Sequence, residues 1–165
     1  MLEQLVQYFH NVPKEVVTLF IAMIPIFELR GAIPWALASP PVGGGLSWQT
    51  AFFYAYIGNF LPVIPLLLFL DPVTNFLRRW PILDRFFEWL FKRTRRKGKM
   101  IEKYEFIGLM LYVGIPLPGT GAWTGSLAAY LFGVRFKNAV LAISIGIVLA
   151  GVAVTLASLG VISIF

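Results

Sequence analysis

The sequence predicts an all-α integral membrane protein made of two inverted repeats, each a re-entrant helical hairpin plus a transmembrane helix, joined by a basic amphipathic cytoplasmic helix. Three observations carry this. Mean hydropathy is +0.77 and only 13% of residues are charged, against roughly 25% in a soluble domain. Two uncharged stretches are long enough to cross a bilayer. Two further apolar stretches are interrupted near their middles. The 165 residues read as one membrane domain, with repeat 1 at about 13–70, a linker at about 71–103 and repeat 2 at about 104–160.

The spanning candidates are Gln49–Leu70 and Asn138–Leu159, each roughly the ~20 residues needed to cross ~30 Å of hydrocarbon. The first holds Pro62 and Pro65, which membrane helices tolerate when neighbours satisfy the freed backbone groups.

The interrupted stretches are shorter in each part. Val16–Phe27 meets Glu28-Leu29-Arg30-Gly31, and Ala32–Ala38 follows before Pro40-Pro41 and a triple glycine at Gly43–Gly45. Phe106–Gly133 has no charge but is cut by Pro116-Leu117-Pro118-Gly119-Thr120-Gly121, a run that breaks a helix. Half-helices of ~10–12 residues reach about halfway through a bilayer. Each stretch therefore reads as half-helix, irregular tip, half-helix. The halves also align: Ile24-Pro25-Ile26 with Ile115-Pro116-Leu117, Ala51 with Ala139, Ile57-Gly58 with Ile145-Gly146 and Leu61 with Leu149. Weak internal symmetry of this kind is expected of transporter repeats.

Charge sets the expected topology. Ten basic and four acidic residues between Asp71 and Lys103 account for the whole net charge of +6. Beside long apolar segments this marks a cytoplasmic loop touching anionic lipid rather than a nucleic-acid site. With hairpins, the Arg135/Lys137 loop falls on the same side as the linker. With full spans it would fall outside, against the positive-inside tendency. In the linker, Pro81 suits a helix start. Ile82, Leu83, Phe86, Phe87, Leu90 and Phe91 share one helical face, with Trp80 and Trp89 as headgroup anchors. The N-terminus carries no expected cleavable signal, since Met1–Asn11 lacks a basic n-region.

Glu28 and Arg30 are the sharpest candidates for chemistry. Ionisable groups at membrane depth are costly and mark functional sites by default. Glu28 is a candidate proton carrier. Arg30 can hold a phosphate or carboxylate through paired hydrogen bonds, although the two residues could also simply neutralise one another. Pro25 and Pro34 frame this tip. At the second tip, Pro116, Pro118, Gly119, Thr120 and Gly121 allow close backbone approach, and broken helices aim amide groups at anions near the midplane. Thr124 adds a hydroxyl and Trp123 an amphipathic ring, and Asn59 is a candidate polar contact to both tips from mid-span. A packing loop remains the alternative for the second tip, and a helix–helix hydrogen bond for Asn59.

Several classes are excluded. There is no cysteine, hence no disulfide or thiolate metal site. His10 lies in a polar N-terminal stretch away from the tips. No metal cluster, cofactor motif or phosphate-binding loop is present. Ser126 has no histidine near it in sequence, so an enzyme is not expected.

The motifs Pro25-x-x-Glu28-x-Arg30-Gly31-Ala32-x-Pro34, Pro116-x-Pro118-Gly119-Thr120-Gly121 and Trp123-Thr124-Gly125 resemble the small multidrug export protein family over most of the chain. More distantly, the chain is similar to the DedA, or VTT-domain, membrane proteins. Those proteins pair a Pro-x-Pro-Gly-Glu tip with an Arg-x-x-x-Pro tip. Here Thr120 stands where that acid would be, and the hairpin order is exchanged, with the acid at Glu28. The resemblance implies proton-dependent transport or flipping of polyprenyl phosphate carrier lipids across the cytoplasmic membrane. The expected protein is a multi-pass homodimer that binds membrane lipids, takes a lipid-phosphate or amphiphilic small-molecule substrate, needs no cofactor and binds no nucleic acid. Export of hydrophobic or cationic compounds, and a non-transporting membrane scaffold, are the competing expectations.

Overall fold

A computed structural model of the chain describes residues 12–77, 99–117 and 119–162, together with Arg79, Pro81, Asp84, Arg85, Glu88, Trp89 and Lys92. His10, Pro118, Trp80 and the expected apolar face of the linker helix (Ile82, Leu83, Phe86, Phe87, Leu90, Phe91) lie outside the described residues.

Proline placement decides where the first helices begin and end. Helix α1, Lys14–Met23, follows Pro13 and stops because Pro25 forces the preceding Ile24 into an extended conformation (φ −74°, ψ 127°). Residues 24–27 turn the chain, and α2, Glu28–Leu37, runs back. This differs from the sequence expectation, which carried the first half-helix to Phe27 and put Glu28 and Arg30 in the irregular tip. The break comes four residues earlier, so both charged residues occupy the first turn of α2. Glu28 itself adopts a left-handed backbone (φ 48°), uncommon for a non-glycine residue and typical of constrained functional positions.

The glycine run after α2 folds back on the helix end. The amides of Gly44, Gly45 and Leu46 donate to the carbonyls of Trp35, Ala38 and Ala36 at 2.9, 2.9 and 2.8 Å. These bonds satisfy acceptors that a helix terminus otherwise leaves open.

Ser47 then caps α3, Trp48–Phe60, its hydroxyl accepting from the Thr50 amide at 3.3 Å. A brief irregularity at Leu61-Pro62 leads into α4, Val63–Leu77. The helix continues past Asp71, where the sequence had placed the start of the linker. After the linker come α5, Lys99–Gly114, a tip over residues 115–121, α6, Ala122–Leu131, and α7, Phe136–Ile162. The second interruption falls where its prolines and glycines predict it.

Every described regular element is helical. Two runs, Trp48–Leu70 (through the irregularity at Leu61-Pro62) and Phe136–Gly160, are 23 and 25 residues long and apolar enough to cross a membrane. They match the two expected spans within two residues at either end. The broken pairs pack against them: α1 against α2 and α3, α5 against α6 and α7, α2 against α3 and α7, and α6 against α4 and α7. Small residues permit these approaches, as in membrane bundles generally. A β-carbon on Gly58 would overlap the Leu19 carbonyl of α1, and one on Gly146 would sit 2.8 Å from the Met110 carbonyl of α5. Leu29, Ile33, Leu109, Val113, Ile143 and Ile147 fill the centre, while Phe53, Leu68 and Leu156 point outward.

Candidate functional site

The two interruptions meet at the centre of the molecule. The left-handed turn at Glu28 directs its carboxylate to the start of α6, where it accepts from the amides of Ala122 at 3.4 Å and Trp123 at 3.3 Å. Those amides are among the first-turn donors that a helix leaves without intrahelical partners, and a carboxylate suits them electrostatically. Glu28 is 5% exposed. Gly121 makes the approach possible: any β-carbon there would overlap the Glu28 carboxylate, and its φ of 149° is one that side-chain-bearing residues rarely adopt.

Arg30 reaches the same tip from the next helical positions. It donates from Nη1 to the Leu117 carbonyl and from Nη2 to Thr120 Oγ1 at 3.0 Å. Thr120 Oγ1 in turn donates to the Ile115 and Leu117 carbonyls, which lie at 2.9 and 2.8 Å. The buried Nε of Arg30 has no partner. Glu28 and Arg30 are near enough to feel each other's charge, but the hydrogen bonds of each go to the opposite tip. The pair therefore ties the first interruption to the second.

Trp123 supplies a third tie. Its indole Nε1 donates to the Met23 carbonyl at 3.1 Å, an acceptor left open where α1 ends. Thr124 donates to the Gly121 carbonyl at 3.4 Å. Asn59, from α3, is 1% exposed and its carboxamide interacts with the Glu28 carboxyl, yet neither its Oδ1 nor its Nδ2 makes a hydrogen bond of regular geometry.

The remaining expected residues fall around this centre. Pro25 shapes the first turn on its exposed side and makes no contact with the opposite tip among the interactions described. Pro34, inside α2, has no N–H to offer the Arg30 carbonyl four residues earlier. Gly119 (φ 78°) turns the second tip. Pro116 and Pro34 flank Arg30 in a cavity of about 510 Å³, walled otherwise by Ala38 and the α7 residues Ala153, Val154, Ala157 and Ser158. Among the described residues, Arg30 is the one charged residue in that lining. A second cavity, about 330 Å³, lies between α4 and α6 and is bounded by Pro62, Pro65, Leu66, Phe69, Leu70 and Trp123.

Sequence reasoning missed Tyr112, whose hydroxyl donates to the Gly119 carbonyl at 3.4 Å and which sits close to Thr124, Arg30 and Glu28. Its signal was present: a hydroxyl in an otherwise apolar half-helix, four residues before Pro116. The α7 wall of the larger cavity gave no such signal, since alanine and valine are unremarked in any apolar helix. Among the described residues no group of acidic and histidine side chains could hold a metal ion.

Two membrane-capable helices embracing two broken ones, with a buried carboxylate and a half-buried guanidinium where the breaks meet, define a helical membrane protein whose polar chemistry is gathered at its centre. Residues 28–153 match the family described as "Putative small multi-drug export protein", and the chain belongs to that family. No curated protein and no solved structure matches it. The family description is that of an export protein handling small molecules, not of an enzyme.

Proposed function

We propose that this protein is a proton-linked secondary transporter or flippase for an amphiphilic anion, such as a polyprenyl phosphate carrier lipid. In this reading it is a multi-pass protein of the cytoplasmic membrane, with the linker on the cytoplasmic side. The observation that carries the reading is the position of Arg30. A guanidinium with an unpartnered buried Nε borders a cavity whose other walls are nearly all apolar. Such a space suits a molecule with an apolar body and an anionic head, because the head would complete the donors of Arg30. A cationic substrate would meet a like charge there. Glu28 is the proton-linked group, held by the α6 amides opposite Arg30.

Inverted repeats and re-entrant hairpins belong to the same proposal. Their support is the matched packing of the halves. Gly58 meets Leu19 and Gly146 meets Met110, and the alignment that pairs Ile24 with Ile115 also pairs Leu19 with Met110. The α2–α7 and α6–α4 contacts are likewise related by exchanging the halves, and each borders a cavity.

A second reading, export of uncharged apolar compounds, is favoured by the α4–α6 cavity, which carries no charged residue among the described residues, and by the family description. Native mass spectrometry of the purified protein separates the two. Under the proposal, a polyprenyl phosphate binds selectively over a hydrophobic cation or a neutral amphiphile, and Arg30→Ala abolishes that binding. Binding of the cation or the neutral compound alone would end the anion role of Arg30.

A further inference from the structure

A buried carboxamide with both polar atoms unpartnered is expensive, more so at membrane depth where water is scarce. Asn59 comes close to this: in the middle of the molecule it interacts with the carboxyl of Glu28, but neither of its polar atoms makes a hydrogen bond of regular geometry. We propose that Asn59 is a positioning residue that serves both protonation states of Glu28: its Nδ2–H donates to the ionised carboxylate, and its Oδ1 accepts the O–H of the protonated acid. The inference rests on the proton-linked role proposed for Glu28 and adds a partner that lets the charge change occur within one site.

The chemistry of the surroundings favours a proton over other occupants. The Ala122 and Trp123 amides can donate to Glu28 but cannot accept from it. When the acid takes up a proton from water, the new O–H therefore needs an acceptor on another side. The charged and titratable groups acting on Glu28 are Arg30, from its own helix, and Tyr112 from α5; α1, α3, α6 and α7 contribute none among the described residues. Arg30 cannot accept a hydrogen bond. A metal cation would face the guanidinium and the positive end of α6 together. The carboxamide offers a donor and an acceptor on one rotatable group, whereas the nearby hydroxyls of Tyr112 and Thr124 already donate to the Gly119 and Gly121 carbonyls. The proton returns to water when Glu28 ionises, and Asn59 is chemically unchanged throughout.

Infrared difference spectroscopy of the full-length protein in lipid nanodiscs, stepped through pH, reads this directly and needs no substrate. The carboxylic C=O band of Glu28 is the one that Glu28→Gln removes. In Asn59→Leu, close in volume but apolar, that band should move to higher frequency because the acid has lost its acceptor. In wild-type protein with ¹³C-labelled asparagine, a carboxamide band should change in the same pH step as Glu28, and Glu28→Gln should silence it. This second measurement decides the matter if Asn59→Leu does not fold. An unmoved Glu28 band in Asn59→Leu, or a carboxamide silent while Glu28 titrates, overturns the role of Asn59 and leaves the proton-linked reading intact. Absence of any Glu28 carboxyl band across the pH range overturns both.

Discussion

The carboxylate of Glu28 accepts a hydrogen bond from the backbone amide of Trp123, 95 residues further along the chain, at 3.3 Å. The first interruption thereby caps the helix that leaves the second. Arg30, one half-turn on, holds the loop that precedes the same helix. The two tips are a single unit, and disturbing either should be felt at both.

Gly121 is the tightest point of that unit. A methyl group there overlaps the Glu28 carboxylate on a backbone unsuited to alanine. Gly121→Ala should cost about 2–4 kcal/mol, from backbone strain plus overpacking. Gly133, also at positive φ (65°) but with open space around it, is the control: Gly133→Ala should cost only about 1–2 kcal/mol of backbone strain. Thermal unfolding in detergent should rank the variants in that order, and equal effects would contradict the proposed contact.

Gly58 and Gly146 should behave as a pair. Each admits a carbonyl of a neighbouring half-helix, from Leu19 and Met110 respectively. Substitution by leucine at either position should abolish monodisperse elution in size-exclusion chromatography. Leucine at the open Gly133 should be tolerated far better. Tolerance at Gly58 or Gly146 would mean that the helices do not approach as described.

Arg30→Lys preserves charge but not shape. One ammonium cannot reproduce the planar fork that spans the Leu117 carbonyl and Thr120 Oγ1. Lysine also lacks the Nε–H that the proposal offers to the anion, and loss of one charge-assisted hydrogen bond, about 1.5–3 kcal/mol, predicts a roughly tenfold or greater loss of anion binding. Wild-type affinity in Arg30→Lys would show that charge alone suffices and that the fork is incidental.

Topology is open to direct chemistry because the chain has no cysteine. Single cysteines at Ser47 and Lys137 should react with an impermeant maleimide from opposite sides of the membrane. Labelling from the same side would remove the hairpin arrangement and the inverted repeat with it.

The two spans were legible in the sequence because uncharged length is a strong signal, and the second tip because two prolines and two glycines fall within six residues. The first tip was displaced. Pro25 acts on Ile24 and ends α1 early, whereas the charges at Glu28 and Arg30 mark a break four residues later. The candidate residues were readable one by one, as polar groups where apolar ones are cheaper. Their partners were not, since Glu28 and Arg30 use backbone groups of residues 117, 122 and 123, and any residue type can offer an amide or a carbonyl. Thr120, which stands where the DedA pattern has its acid, accepts from Arg30. The cavity beside Arg30 was illegible because its α7 wall is made of residues that any apolar helix would contain.

Movement of a labelled polyprenyl phosphate across proteoliposome membranes under an imposed pH gradient tests the central claim most directly. The account predicts transport that follows the gradient, is lost in Arg30→Ala, and is uncoupled from the gradient in Glu28→Gln while that variant remains folded. Transport that ignores the gradient in the wild type, or that survives Arg30→Ala unchanged, would contradict it.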